Sequence, residues 1–99
     1  MELQGKNVLV VGMARTGIAS ARFLLSRGAR VTISDAQEAE EQAAACRELA
    51  GNGVVLETGG HQLKTFLAAE LIVMSPGVPL EIAPLTVLAL LAMSTLKLR

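Results

Sequence analysis

The residues of this chain able to do chemistry fall in three short stretches. Gly12-Met13-Ala14-Arg15-Thr16-Gly17 follows the apolar run Val8-Leu9-Val10-Val11. Asp35-Ala36-Gln37 follows a second run, Arg30-Val31-Thr32-Ile33-Ser34, and Ser75-Pro76-Gly77 follows a third, Leu71-Ile72-Val73-Met74. A glycine turn between a strand and a helix brings backbone N–H groups close to an anion. The helix start adds about half a positive charge. Arg15 contributes a cation and Thr16 a hydroxyl beside that turn. The chemistry these stretches offer is recognition of an anionic ligand; none of them supplies a catalytic residue.

Two familiar phosphate loops can be tested against the turn. A loop for nucleoside triphosphates needs G-x-x-x-x-G-K-[ST]. Gly12 and Gly17 have that spacing, but Ile18 and Ala19 stand in place of the lysine and the hydroxyl residue, so triphosphate binding is rejected here. The dinucleotide fingerprint needs G-x-G-x-x-G. Gly12 and Gly17 match its ends, Ala14 replaces its middle glycine, and Asp35 occupies the slot of the acid that binds a ribose hydroxyl. NAD binding, another anionic ligand and a ligand-free tight turn all stay open at this point. Asp35 has a second reading as the N-cap of the next helix, and a third as acceptor for the N–H groups of a heterocycle such as uracil. Ser75-Pro76-Gly77 reads either as a ligand loop or as a rigid turn opening the last helix. The single His61 reads as a loop or capping residue. No second histidine or clustered cysteine accompanies it, so no metal site is expected. Cys46 sits among alanines and reads as a packed, inert thiol.

The elements that must hold these stretches follow from hydropathy. Strands are expected at 7–11, 30–34, 54–57 and 71–74, each a short apolar or β-branched run. Helices are expected at about 17–27, 38–50 and 62–69. The first should bury Ile18, Ala21, Phe23, Leu24 and Leu25, and end on Gly28 as its C′ residue. The second carries its acidic residues in its first turns, where the macrodipole favours them. Residues 85–99, LTVLALLAMSTLKLR, are apolar almost all round and are expected to form a helix and a short last strand. The alternation predicts a three-layer α/β domain with a mostly parallel sheet of about five strands, a Rossmann-like arrangement. In such sheets ligands sit beyond the carboxyl ends of the strands, at the topological switch point. All three stretches should meet there.

Composition bounds the rest. Ninety-nine residues make one domain, 1–99. Nine basic residues balance nine acidic ones, which gives no electrostatic footprint for nucleic acid or an anionic membrane. Two phenylalanines and no Trp or Tyr leave no platform for stacking single strands. One cysteine excludes an internal disulfide. MELQGKN lacks the apolar core of a signal peptide, and the longest apolar stretch is shorter than the ~18 residues of a membrane span. A soluble, cytoplasmic chain is expected.

With these stretches in order, the chain resembles the N-terminal domain of the Mur ligases. The resemblance rests on Gly5-Lys6-Asn7-Val8-Leu9-Val10-Val11-Gly12-Met13-Ala14-Arg15-Thr16-Gly17, Arg27 to Asp35, Gly59-Gly60-His61 and Leu71 to Pro79. It covers about Leu3 to Pro84 and is nearest the D-glutamate-adding branch. It implies a three-domain enzyme of bacterial peptidoglycan synthesis, and so of cell shape and division. Its first domain holds the UDP part of UDP-N-acetylmuramoyl-L-alanine instead of NAD. By that match Arg15 and Thr16 lie at the phosphates and ribose, Asp35, Ala36 and Gln37 at the uracil, and Ser75, Pro76 and Gly77 on the nucleotide's other side. Where the family often has Thr-Arg after the Asp, this chain has Ala36-Gln37. The implied reaction is amide formation driven by ATP and Mg2+, with D-glutamate as the amine. Those groups bind on a central domain absent here, so this chain alone is expected to need no cofactor and to be inactive. Residues 85–99 depart from the family pattern, having neither glycine nor acid, and could associate through an apolar patch.

Overall fold

A computed structural model describes residues 2–36 and 40–74. Four strands form one parallel sheet: β1 (Asn7–Val11), β2 (Arg30–Ser34), β3 (Val55–Glu57) and β4 (Leu71–Met74), in the order β3-β2-β1-β4. The helices are α1 (Arg15–Ser26), α2 (Ala43–Gly51) and α3 (Leu63–Ala68), with one 3-10 turn at Glu40–Gln42 ahead of α2. This is the Rossmann-like α/β fold, with four strands among the described residues where about five were expected. The expected last helix and strand, Gln37, and the Ser75-Pro76-Gly77 stretch lie outside the described residues.

Each strand alternates its side chains between two layers. Val8 and Val10 of β1, and Val31 and Ile33 of β2, face α1 and α2. There they form one buried cluster with Ile18, Ala21, Leu24, Cys46, Leu49 and Val54. Leu9 and Val11 face the other way and pack with Phe66 of α3. Full burial of one such apolar side chain stabilises by about 1.5–3 kcal/mol, so the first layer holds most of the described core. α1 and α2 lie on one face because β1, β2 and β3 step in one direction. α3 crosses to the other face because β4 returns to the far side of β1.

Two helix starts and one buried position differ from expectation. α1 begins at Arg15, two residues early, because Ala14 takes an extended N-cap conformation with φ −71° and ψ 178°. α2 begins at Ala43 instead of 38, and the acidic Glu40 lies in the 3-10 turn before it. Phe23, placed on the buried face of α1 by the sequence, is 53% exposed. Its position is 200° around the helix from Ala21, and its ring instead lies under the Arg27 guanidinium at 5.1 Å. Gly28 does close α1, with φ 82° and N–H donation to Leu25 O.

Candidate functional site

β1 runs straight into the glycine turn. Gly12 has φ 109°, a left-handed conformation that a side chain at this position would strain. It bends the chain out of the sheet, and its N–H donates to Ser34 O at 2.8 Å. This bond joins the carboxyl ends of β1 and β2. The next residue, Met13, donates its N–H to Asp35 Oδ2 at 2.7 Å. That is the length of a charge-assisted bond. The Asp35 N–H in turn donates to Glu57 O at 2.9 Å, which ties in the end of β3. Asp35 therefore braces the turn across the sheet edge. Its reading as the cap of α2 is set aside: α2 has Gln42 at its N-cap and no side-chain cap bond.

The first turn of α1 is the other half of the site. Ile18 N–H makes the first intrahelical bond, to Ala14 O at 3.0 Å. The amides of Arg15, Thr16 and Gly17 precede it and have no place in the helical ladder. Ala14 offers no side chain to cap them, and no acidic residue lies in the first turn. Arg15 and Thr16 are exposed, while Gly17 is buried. The arrangement presents a positive helix end, a cation and a hydroxyl to solvent, with the Asp35 carboxylate alongside the turn. An anion fits the helix end and an N–H-bearing ring fits a carboxylate.

At the position where a triphosphate loop carries its lysine, this chain has Ile18. Its side chain is 5% exposed and belongs to the core, so this position cannot present a charge to a phosphate. Among the described residues no group of three or more His, Cys, Asp or Glu is placed to hold a metal ion. No described helix is long and apolar enough to cross a membrane.

Of the residues singled out by sequence, the structure brings Gly12, Arg15, Thr16, Gly17, Asp35 and Ala36 to one edge of the sheet. Gln37, Ser75, Pro76 and Gly77 fall outside the described residues. β4 ends with Met74 in register with Val11, so its carboxyl end borders the same turn. The order β3-β2-β1-β4 puts the switch point between β1 and β4, where that border runs. Cys46 is buried, and its thiol is pushed up from the ordinary value by burial and then by the Asp35 charge. Two polar pairs escaped sequence reasoning. Ser34 Oγ and His61 Nδ1 are hydrogen-bonded at 2.7 Å. Thr65 Oγ1 donates to the Glu57 carboxylate at 2.7 and 2.9 Å. The period of β2 puts Thr32 and Ser34 opposite Val31 and Ile33, but no spacing in the sequence marks the partners of these polar groups.

Sheet order, open helix end and braced turn define the class: a Rossmann-like domain with its glycine turn at the switch point. Solved structures bear out the fold. The chain is similar to SirC, precorrin-2 dehydrogenase, with TM-score 0.62 and 22% identity over 79% of this chain and 38% of that one. It is similar to the apo D-lactate dehydrogenase from Escherichia coli, with TM-score 0.59 and 24% identity over 82% of this chain and 22% of that one. Sequence goes further than fold. Residues 6–93 match the family described as Mur ligase MurD-like, N-terminal domain, and the chain belongs to that family. It is 54% identical over 85 residues to the UDP-N-acetylmuramoylalanine--D-glutamate ligase of Geotalea daltonii (strain DSM 22248 / JCM 15807 / FRC-32), which is 86% of this chain and 19% of that protein. It is 52% identical over 81 residues to the enzyme of that name from Acidobacterium capsulatum, covering 82% of this chain and 18% of that protein. The chain thus spans about a fifth of the length of the curated relatives it matches.

Proposed function

We propose that this chain holds the UDP moiety of UDP-N-acetylmuramoyl-L-alanine, as the N-terminal domain of an ATP-dependent, D-glutamate-adding ligase of cytoplasmic peptidoglycan synthesis. One observation carries the reading: Asp35 is braced on the Met13 amide directly beside the uncapped start of α1. A uridine diphosphate has the two matching parts, a diphosphate for the helix end and a uracil N–H for the carboxylate. Arg15 and Thr16 serve the phosphates and ribose. Asp35, with Ala36 and Gln37, serves the uracil. Ser75, Pro76 and Gly77 are assigned to the nucleotide by their match to the family's loop alone.

The ligase reaction transfers a phosphoryl group from ATP to the substrate carboxylate. The D-glutamate amine then attacks the acyl phosphate, and inorganic phosphate leaves as the amide forms. Phosphoryl transfer requires a phosphate cradle, magnesium and charge stabilisation. Ile18 and Ala19 provide none of these at the glycine turn. This chain's share of the work is to bind and orient the nucleotide, and alone it forms no amide.

NAD is the competing ligand for a turn of this kind. Calorimetry of the 99-residue chain against UDP-N-acetylmuramoyl-L-alanine, UDP and NADH separates the two. The expected result is binding of both uridine ligands in preference to NADH. Preference for NADH, or heat from none of the three, overturns the reading.

A further inference from the structure

We infer that His61 is a positioning residue for the nucleotide turn and acts through Ser34. This rests on the UDP reading for its ligand and on hydrogen-bond geometry for its mechanism. Ser34 is the last residue of β2 and is fully buried. Ser34 and its successor Asp35 between them make three polar connections. The Ser34 carbonyl accepts the Gly12 N–H at 2.8 Å. Its successor, Asp35, holds the Met13 N–H at 2.7 Å. The Ser34 hydroxyl is hydrogen-bonded to His61 Nδ1 at 2.7 Å, with donor and acceptor set by the imidazole tautomer.

The imidazole is itself held. It meets the buried Phe66 ring edge-on, with centroids 5.8 Å apart and planes at 85°. His61 follows Gly59 and Gly60, whose φ values of 80° and 154° bring the segment after β3 back over the end of β2. A residue from the β3–α3 connection therefore fixes the orientation of the residue that anchors Gly12 and precedes Asp35. Removing the imidazole leaves a buried hydroxyl without its partner. β2 then relieves that loss by moving at Ser34, which makes one turn contact itself and carries Asp35, which makes the other. His61 needs no contact with the nucleotide for this role.

The test has two arms on the 99-residue chain, with His61→Ala, His61→Asn, Ser34→Ala and the double alanine variant. The first arm is amide hydrogen exchange without ligand. His61→Ala is expected to speed exchange at Gly12 and Met13 about tenfold, a change worth one hydrogen bond, while amides in the middle of α1 keep their rates. His61→Asn, whose side-chain amide reaches the place of Nδ1, should restore both sites to within about twofold. The double variant should exchange no faster than either single one. The second arm is calorimetry with UDP, in which affinity should fall and recover in the same pattern. Unchanged exchange at Gly12 and Met13, uniform acceleration through α1, additive single variants or failure of Asn to rescue would each overturn the inference. If the unaltered chain binds no UDP, the functional reading falls, while the exchange arm still decides the role of His61.

Discussion

The two faces of the sheet are built differently. The face under α1 and α2 is a continuous dry layer, running from Val8 and Val10 through Ile18, Leu24 and Ile33 to Leu49 and Val54. The face under α3 holds Leu9, Val11 and Phe66 as its fully buried members among the described residues. The polar pairs Ser34 with His61 and Thr65 with Glu57 stand at its carboxyl end. The first face shares its stability among many side chains. Among the described residues the second has one aromatic ring at its centre, and its polar pairs tie the ends of β2 and β3 to the segment around α3. The two layers therefore differ in how evenly their stability is shared and in how many of their polar groups lie at the rim.

The largest effect should come from removing that ring. Phe66→Ala should cost about 3–5 kcal/mol in urea denaturation, and Leu49→Ala, on the shared layer, about 2–3 kcal/mol. The reverse ranking would break the comparison. Next, Asp35→Ala removes a charge-assisted bond to a backbone amide. It should weaken UDP binding at least about tenfold by calorimetry, with a smaller loss in melting temperature than Phe66→Ala. Equal losses in melting temperature would mean that the rim also carries the fold. A third, more modest effect concerns Cys46, buried in the dry layer. Its thiol is held up by burial and by Asp35, so labelling by a disulfide reagent at neutral pH should be at least about tenfold slower than in urea. Asp35→Asn should quicken it slightly. The smallest effect belongs outside both layers. Arg22 and Glu48 make a two-bond ion pair at 2.7 and 3.1 Å across the exposed sides of α1 and α2. That pairing lowers the Glu48 carboxyl below its ordinary 4.5. A carboxyl depressed in the folded state stabilises above its ordinary value and loses that contribution as the pH falls through the depressed one. Glu48→Gln should therefore lower the melting temperature slightly at neutral pH and low salt, and not at all in strong acid.

The dry layer was legible in the sequence because β1 and β4 are short continuous apolar runs and β2 alternates Val31 and Ile33 with polar residues. β1, β2 and β4 fall where Asn7–Val11, Arg30–Ser34 and Leu71–Met74 place them. Gly12 and Asp35 were legible as neighbours because the intervening helix and strand bring both to one edge. The start of α1 was not, since Arg15 and Thr16 carry no capping signal and Ala14 looks helical although it stands extended. Phe23 misled because hydrophobicity alone assigned it to the core, when its helical angle puts it outside. The His61 to Ser34 bond was illegible for a different reason. It joins residues 27 apart across a connecting loop, and no local spacing records where such a loop folds back.

The dihedrals of the turn divide its residues by what they permit. Gly12, at φ 109°, is locked to its residue type by stereochemistry. Ala14, at φ −71°, is under no such obligation, and any L-residue can adopt its backbone. The middle slot of the loop is thus free to vary in bulk while the loop keeps its path. A change of side chain there alters how closely a ligand can approach the turn and leaves the backbone beneath it unstrained.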